Sequence, residues 1–306
     1  MDKVLVIVVI YNGMRWLERC LGSVMPCQTG HLQTDVFAVD NDSTDGSADY
    51  VASHFPQAHL VRSAENLGFT GGNNLGFEYA LRKGYRYVYL LNQDAWLEEG
   101  ALEALVAAAD AHPEYAVLSP LQFQADGRTL DHQFAKLYRL GRKSAQNLPE
   151  CPENVGLGRK SAQNLPEPVE VSRIMAAHWL VPVEALQTIG LFSDLFPYYG
   201  QDDDWCHRAR YHGYKIGVVP QARAVHDRAQ RQESKERIID RNYRVGSLVR
   251  LCDVNRPLWE RFLFVCLFTV VKAVKYRSLL PFRHFRSICR QLPVIRAHRS
   301  VSRSKH

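Results

Sequence analysis

Apolar and polar residues alternate in blocks along the first half of the chain. Residues 4–10 are wholly apolar and rich in valine and isoleucine, and residues 36–39 and 87–91 repeat that character. Runs of this length predict buried strands, and polar residues and a helix-like segment follow each of them. Strands that alternate with helices are typical of an α/β fold, a mostly parallel sheet flanked by helices.

The polar residues that follow these three strands predict a ligand site. Tyr11 and Asn12 follow the first strand, residues 40–42 the second and residues 92–94 the third. Ligands of open α/β sheets bind beyond the carboxyl ends of the strands, so we expect the three loops to meet. Turn and helix-capping chemistry by itself also explains residues 43–45.

The second half has a weaker pattern. Apolar residues fill 174–183, and 214–220 has the composition of another strand. Residues 141–150 and 158–167 are the same ten-residue segment, GRKSAQNLPE. Two copies are too few for a repeat fold, and we interpret them as a duplicated polar surface loop between about 138 and 170.

Length and cysteine usage narrow the class of protein. The 306 residues have room for one large α/β domain or two small ones. The seven cysteines are widely spaced and form no C-x-x-C pair, which argues against a disulfide framework or a structural zinc site and favours a reducing compartment. The first apolar run is too short for a signal peptide or a membrane span.

Charge is distributed unevenly along the chain. Residues 228–306 have 19 Lys and Arg against 5 Asp and Glu, whereas residues 1–227 have 19 against 27. After Glu260 there is no acidic residue. We therefore expect a second region from 228 onwards with an anionic partner, either a membrane surface or nucleic acid.

The apolar run 262–274 lies within this basic region. Its 13 residues are fewer than the roughly 20 that span a bilayer. It is either a core helix or a helix that lies in a membrane interface. Its basic flanks favour the interface. They are Lys272, Lys275, Arg277, Arg283 and Arg286.

Three successive carboxylates, Asp202, Asp203 and Asp204, lie between aromatic residues. Adjacent like charges and aromatic bulk raise a carboxyl pKa toward the range that is useful to a general base. Acidic residues that open a solvated helix are the ordinary alternative.

Taken in order, five segments resemble the family 2 glycosyltransferases of the GT-A fold, and most closely their bacterial rhamnosyltransferase-like branch. The segments are residues 8–13, 39–47, 65–76, 90–94 and 190–226. The resemblance covers roughly residues 4–227. It implies a Rossmann-like nucleotide-diphospho-sugar fold, with the basic helical region as an extension, and inverting transfer of L-rhamnose or another hexose to a glycan hydroxyl.

The resemblance also implies roles on the donor side of the site. Asp40 would accept a hydrogen bond from the nucleotide base, and Tyr11 would flank that base with Asn12 beside it. Asn66 would contact the donor. Asp94 matches the last acid of the family's D-x-D motif, whose first position is Asn92 here.

A divalent metal, Mn²⁺ or Mg²⁺, is the implied cofactor. Asp94 and His226 match the family's ligand positions, and an imidazole nitrogen suits manganese better than magnesium. A strand-end turn is the alternative role for Asp94.

On the acceptor side, Asp202 matches the family's catalytic base. Gln201 stands where the family usually has an acid, which leaves the contact of that acid unassigned. Trp179 lies where the family places the acceptor-side wall of the pocket, although an ordinary core position is the favoured interpretation.

The implied partners are a nucleoside-diphosphate sugar and a glycan or glycolipid acceptor at the inner face of the membrane, with the protein cytoplasmic and peripheral. A sugar nucleotidyltransferase is an alternative, but residues 8–30 have no basic, glycine-rich phosphate loop. A nucleic-acid-binding protein is another, but the basic tail has no recognised nucleic-acid motif, and we expect no nucleic acid partner.

Overall fold

A computed structural model describes residues 2–25, 32–144, 167–228 and 235–304. The predicted strands and helices of the first half fall within these ranges. Most of the duplicated loop predicted between about 138 and 170 lies outside the described residues.

The strands of the described chain join in one sheet whose order is β3-β2-β1-β4-β8-β6-β9-β5, with β7 paired to β9. The four strands from β3 to β4 are parallel, and β8 is antiparallel to both of its neighbours. The strands are β1 (Asp2–Ile10), β2 (Leu32–Asp40), β3 (His59–Arg62), β4 (Tyr87–Asn92), β5 (Ala95–Leu97), β6 (Tyr115–Phe123), β7 (Val169–Val171), β8 (His178–Pro182) and β9 (Lys215–His226).

Helices cover both faces of this sheet, so the predicted α/β class is confirmed. Those of the first 228 residues are α1 (Met14–Gly22), α2 (Ser47–His54), α3 (Gly68–Lys83), α4 (Ala101–Ala111), α5 (His132–Ser144), α6 (Val183–Ile189) and α7 (Gln201–Tyr211). Those of the basic region are α8 (Lys235–Cys252), α9 (Leu258–Tyr276), α10 (Leu280–Arg290) and α11 (Leu292–Val301).

The wholly apolar run 4–10 of β1 follows from the central position of this strand. Leu5 and Ile7 face one hydrophobic core, and Val6 and Val8 face the core on the other side of the sheet. Successive side chains of a strand point to opposite faces, so a strand covered on both faces has no polar position.

The glycine-rich segment 65–76 is mostly helix. Helix α3 begins at Gly68, and it lies so close to β1 that a Cβ on Gly76 would be 2.5 Å from Ile7. A Cβ on Gly72 would likewise lie 2.8 Å from the side chain of Val9. These two glycines allow the helix to pack closely on the sheet.

The basic region is helical, as predicted. It packs against the segment that leads from Phe196 into the N-terminus of α7. Phe196 shares a hydrophobic cluster with Val249, Val265 and Ile295 from three of the C-terminal helices. The boundary between residues 227 and 228 remains a prediction.

Candidate active site

Three predicted loops meet at the carboxyl ends of neighbouring strands. Asp40, the last residue of β2, is in register with Ile10 of β1, and Asn92 of β4 is in register with Val9. Tyr11 and Asp94 therefore leave the sheet on the same edge as Asp40, as the sequence predicted.

Hydrogen bonds between side chains and main chain hold these loops together. The side chain of Gln93 accepts from the Tyr11 N–H at 2.8 Å and donates to the Tyr11 carbonyl at 3.1 Å. Asn12 has a φ of 49°, and its Oδ1 accepts from the Thr44 N–H at 2.8 Å. Asn12 thus joins the first loop to the second, while the ring of Tyr11 remains 48% exposed and open to a stacking partner.

Asp40 is buried, and its two carboxylate oxygens differ. Oδ2 accepts from the Ser43 N–H at 3.2 Å, whereas Oδ1 is buried without a hydrogen-bond partner. Buried polar atoms are nearly always paired in folded proteins. The free oxygen of Asp40 is therefore suited to accept a hydrogen bond from a ligand.

Asp94 and His226 are brought together by the pairing of β5 with β9. Ala95 is in register with His226, and His226 Nε2 lies 3.4 Å from Asp94 Oδ1. His226 is buried, and its Nδ1 has no hydrogen-bond partner.

A second histidine, His178, lies beside His226, with the two ring centroids 6.4 Å apart. His178 is buried, its Nε2 donates to the Val225 carbonyl at 3.1 Å, and its Nδ1 accepts from the Tyr89 hydroxyl at 2.8 Å. Burial, and then the neighbouring His226, lower the pKa of His178 to about 3. The ring is therefore uncharged at neutral pH and adds no positive charge beside His226.

The Asp94 and His226 pair fits a divalent cation. Two ligand atoms that are each about 2.1 Å from one ion lie about 3 Å apart when they are adjacent, close to the observed 3.4 Å. A carboxylate oxygen with an imidazole nitrogen is also a donor set that manganese accepts.

A second cluster, Asp204, Cys252 and His298, also has ligand atoms close to one another. Here the carboxylate already has partners, because Asp204 accepts from Arg208 Nε at 2.9 Å and from His298 Nε2 at 2.8 Å. Burial raises the pKa of the Cys252 thiol well above its usual value, which disfavours the metal-binding thiolate. We interpret this cluster as an ion-pair network.

The three aspartates of α7 have three different surroundings. Asp203 pairs with Arg173, which precedes β8. Asp204 pairs with Arg208 four residues on. Burial by itself would raise the pKa of Asp204, but the Arg208 and His298 charges outweigh burial and lower it. Asp202 accepts only one hydrogen bond described here, from the Asp203 N–H at 2.9 Å.

Asp202 has the carboxyl group best placed to act as a base. Burial, and then the charge of Asp203, raise its pKa to about 7. A carboxyl with that pKa is half ionised at neutral pH. General-base catalysis is most efficient when the pKa of the base lies near the working pH. The side chain is nonetheless partly exposed, so that a substrate can reach it.

The start of α7 is tied to the donor loops through α3. Thr70 N–H and Oγ1 donate to the Pro197 and Phe196 carbonyls at 3.1 and 2.5 Å. Asn41, next to Asp40, donates from Nδ2 to the Gly68 carbonyl at 3.0 Å. Hydrogen bonds to the first turn of α3 thus connect the Asp40 loop to the segment that leads into Asp202.

Gln201 opens α7 in a buried position. Its side-chain Oε1 has no hydrogen-bond partner, like Asp40 Oδ1 and His226 Nδ1. Unpaired buried polar atoms therefore recur at residues that sequence analysis had placed in the site.

Three predicted residues fit their roles less well. Trp179 is fully buried, and its ring centroid lies 5.7 Å from that of Trp205 with the rings tilted by 51°, so it is a core residue, as the sequence favoured, and not an acceptor-side wall. Asn66 is exposed, but its Oδ1 accepts from the Gly68 N–H at 2.9 Å to form the turn before α3. Asn92 lies at the correct strand end, half-buried. Donor contacts of Asn66 and Asn92 remain proposals.

Sequence analysis missed Gln93, Arg173 and His298. Gln93 lies inside the motif but was given no role, although its position between two candidate residues was a signal. Arg173 and His298 are 30 and 94 residues from their partners, and no local pattern marks such pairs.

The model for glycosyl transferase family 2 matches residues 5–162. The N-acetylglucosaminyl-diphospho-decaprenol L-rhamnosyltransferase of Mycobacterium tuberculosis is 28% identical over 241 residues, which cover 74% of this chain and 77% of that protein. The dTDP-rhamnosyl transferase RfbF of Shigella flexneri is 21% identical over 224 residues, 73% of this chain and 64% of that protein.

Solved structures support the same fold. The crystal structure of S. aureus TarS 1-349 superposes with a TM-score of 0.57 at 15% identity, and covers 87% of this chain and 69% of that one. The same TarS fragment in complex with UDP-GlcNAc gives a TM-score of 0.55 at 16% identity, with 88% and 71% covered.

Proposed function

This chain belongs to glycosyl transferase family 2, and we propose that it transfers L-rhamnose or another hexose from a nucleoside diphosphate to a hydroxyl of a lipid-linked or cell-envelope glycan, with inversion. The relatives named as rhamnosyltransferases support the sugar, and the decaprenol-linked substrate in the name of the Mycobacterium tuberculosis relative supports the acceptor class.

Asp202 is the observation on which the proposal depends most. Among the described residues it is the aspartate of its run that forms no salt bridge, and burial and the Asp203 charge outweigh the nearby Arg173 and raise its pKa to about 7. Asp203 and Asp204 are held by Arg173 and Arg208.

In the proposed reaction the Asp202 carboxylate takes the proton of the acceptor hydroxyl. The hydroxyl oxygen attacks the anomeric carbon, and the bond from that carbon to the diphosphate breaks on the opposite face. The electron pair of the broken bond leaves with the nucleoside diphosphate, and the configuration is inverted. General-base assistance of this kind contributes about 10²–10⁴-fold to a rate.

Asp94 and His226 would hold a divalent cation, which supplies positive charge to the leaving diphosphate. Asp40 would orient the donor by accepting a hydrogen bond from its base through the free Oδ1. The exposed ring of Tyr11 would flank that base.

The proposed location is the cytoplasmic face of the inner membrane, where a lipid-linked acceptor would be reached. The protein would be peripheral, and the basic C-terminal region would provide the contact.

The donor and the metal are tested together by release of nucleoside diphosphate. The protein is incubated with Mn²⁺ or Mg²⁺ and a panel of nucleotide sugars, with and without a glycolipid acceptor. We expect release from a deoxyhexose donor, and a much higher Mn²⁺ requirement for Asp94→Asn. Absence of binding and release for every donor would contradict the enzymatic proposal.

The base is tested by Asp202→Asn. We expect transfer to fall by about 10²-fold or more while donor affinity, measured by calorimetry with the nucleoside diphosphate, stays within about twofold. Asp203→Asn is the matched control, because the neighbouring carboxylate has a cationic partner, and it should retain most of the activity. Equal loss of donor affinity in Asp202→Asn would remove Asp202 from the base role.

A further inference from the structure

Helix α9 has an apolar face that no other described part of the chain covers. Leu263 and Leu267 are both 64% exposed and Val274 is 74% exposed. Residues four or seven apart lie on one side of a helix, so these side chains form a continuous stripe. Trp259, Phe264, Val270 and Val271 are exposed beside them. We call these seven residues the α9 stripe.

The opposite side of α9 is an ordinary core face. Val265, Thr269 and Ala273 are buried, and Thr269 shares a hydrogen bond of 2.6 Å with Tyr243 of α8. The helix is therefore fixed in its rotation, and the stripe faces outward. An exposed apolar patch of this extent on a protein indicates a binding surface.

More apolar and basic residues continue the stripe beyond the end of α9. Leu279 is 75% exposed, and Leu280 and Phe282 are exposed in the first part of α10. The sequence of this part is basic and has no acidic residue, since Glu260 in the first turn of α9 is the last acidic residue of the sequence. The exposed basic residues of this part are Lys275, Arg277, Arg283, Arg286 and Arg290.

We propose that the α9 stripe and the start of α10 dock on the surface of a bilayer that contains anionic lipids, with α9 lying in the plane of the interface. Large apolar side chains beside lysine and arginine are the combination that binds such a surface. None of the described helices combines the length and apolarity needed to cross a bilayer.

Charge favours a bilayer over a second copy of this chain as the occupant. A two-fold interface brings the same patch of two subunits together. The basic residues Lys275, Arg277 and Arg283 of both copies would then be brought into one interface, and like charges across an interface are unfavourable. An anionic lipid surface neutralises the same residues.

The docking surface is one helix layer away from the proposed catalytic helix. Helix α8 lies between them. On one side, a Cβ added to Gly200 would lie 2.9 Å from Val245 and 2.8 Å from Val249 of α8. On the other side, the guanidinium of Arg250 lies 5.3 Å from the ring centroid of Phe264 of α9. Docking would place the start of α7 near the surface. This relation to a lipid-linked acceptor rests on the proposed function, whereas docking itself does not.

The experiment measures binding of the full chain to vesicles by sedimentation, without any sugar substrate. Vesicles of phosphatidylcholine alone are compared with vesicles that also contain phosphatidylglycerol, at low and high salt. We expect binding only with the anionic lipid, and weaker binding at high salt. The double variant Leu263→Glu, Leu267→Glu should bind about tenfold more weakly or worse, because it removes apolar contacts and adds like charge to the lipid.

Val301→Glu is the matched control, since Val301 is an exposed valine on α11, 54% exposed and outside the stripe. It should bind as the unmodified chain does. Unchanged binding by the double variant, or no binding by the unmodified chain, would overturn the proposal. So would a dimer in solution that the double variant converts to a monomer. Transfer to a water-soluble acceptor, measured in parallel, tests the proposed function separately.

Discussion

Asp202 and Asp203 are adjacent in sequence, yet their surroundings differ because successive residues of a helix point about 100° apart. Asp203 reaches Arg173, whereas Asp202 receives one main-chain hydrogen bond. Burial, and then the charge of Asp203, therefore raise the pKa of Asp202.

This arrangement predicts the pH dependence of transfer. The base acts in its ionised form, so kcat/KM should rise with pH around a midpoint of about 7. In Asp203→Asn the like charge is removed while Arg173 remains, and the midpoint should move to lower pH. The measurement is kcat/KM against pH for both proteins; a midpoint that does not move would contradict the role of Asp203.

The same pKa shift predicts the opposite trend for stability. The pKa of Asp202 is higher in the folded protein, about 7, than the roughly 3.9 of an unfolded aspartate, so the folded state binds more protons between these values. The contribution of Asp202 to stability is complete below pH 4 or so and is lost as pH rises through about 7.

Asp202→Asn should therefore be more stable than the unmodified chain at pH 8, although it is inactive. Urea unfolding at pH 5 and pH 8 checks this: the variant's advantage should grow with pH. A difference in unfolding free energy between the variant and the unmodified chain that is equal at both pH values would contradict the raised pKa of Asp202.

Among the elements, α3 depends on glycine for its distance from the sheet. A Cβ on Gly76 would lie 2.5 Å from Ile7, while Gly22, at the end of α1, has open space around it. Gly76→Ala should lower the free energy of unfolding by about 1–3 kcal/mol through overpacking. Gly22→Ala, the control, should change it little or raise it by about 0.5–1 kcal/mol. Equal effects in urea titrations would contradict this account.

The contact of α11 with α7 gives a second test at this scale. His298→Ala leaves the buried Asp204 with one partner fewer, and we expect a loss of about 1–3 kcal/mol in unfolding free energy. If the contact positions α7, then kcat should fall more than donor affinity. His298→Gln retains a donor and should restore part of both. A variant that loses stability but keeps kcat would show a structural role only.

The sequence predicted the elements better than their arrangement. Strands β1, β2 and β4 were found because burial on both faces leaves long apolar runs. The position of β8 between β4 and β6 depends on pairing between distant segments, which no local pattern records. For Trp179 the core position was favoured over a pocket wall, but its aromatic neighbours Phe192 and Trp205 could not be predicted, because they are distant in sequence.

The site was predictable where it follows strand ends. Asp40 and Asp94 follow apolar runs and needed only the rule for α/β sheets. The ion-pair partners of α7 could not be predicted, because electrostatic partners are chosen by three-dimensional proximity and each of them is far away in sequence.

For the whole molecule, the sequence divides by charge at about residue 228, but the structure does not divide there as two independent bodies. Phe196 and Gly200 of the first region are covered by α8, and Asp204 depends on α11. We therefore expect residues 1–227 alone to aggregate or to unfold without a cooperative transition. Size-exclusion chromatography and thermal unfolding by near-UV circular dichroism check this; a monomer that unfolds cooperatively would contradict it.

The contact between Asp204 and His298 also has a consequence for the order in which the protein matures during translation. The ribosome must add 94 residues after Asp204 before His298 exists. At about 5–20 residues per second, this takes roughly 5–20 s. The sheet and its strand-end loops have been synthesised by then, while the buried carboxylate of Asp204 has only Arg208 as a partner. The helix with the proposed base would thus be the last part of the first region to reach its final packing.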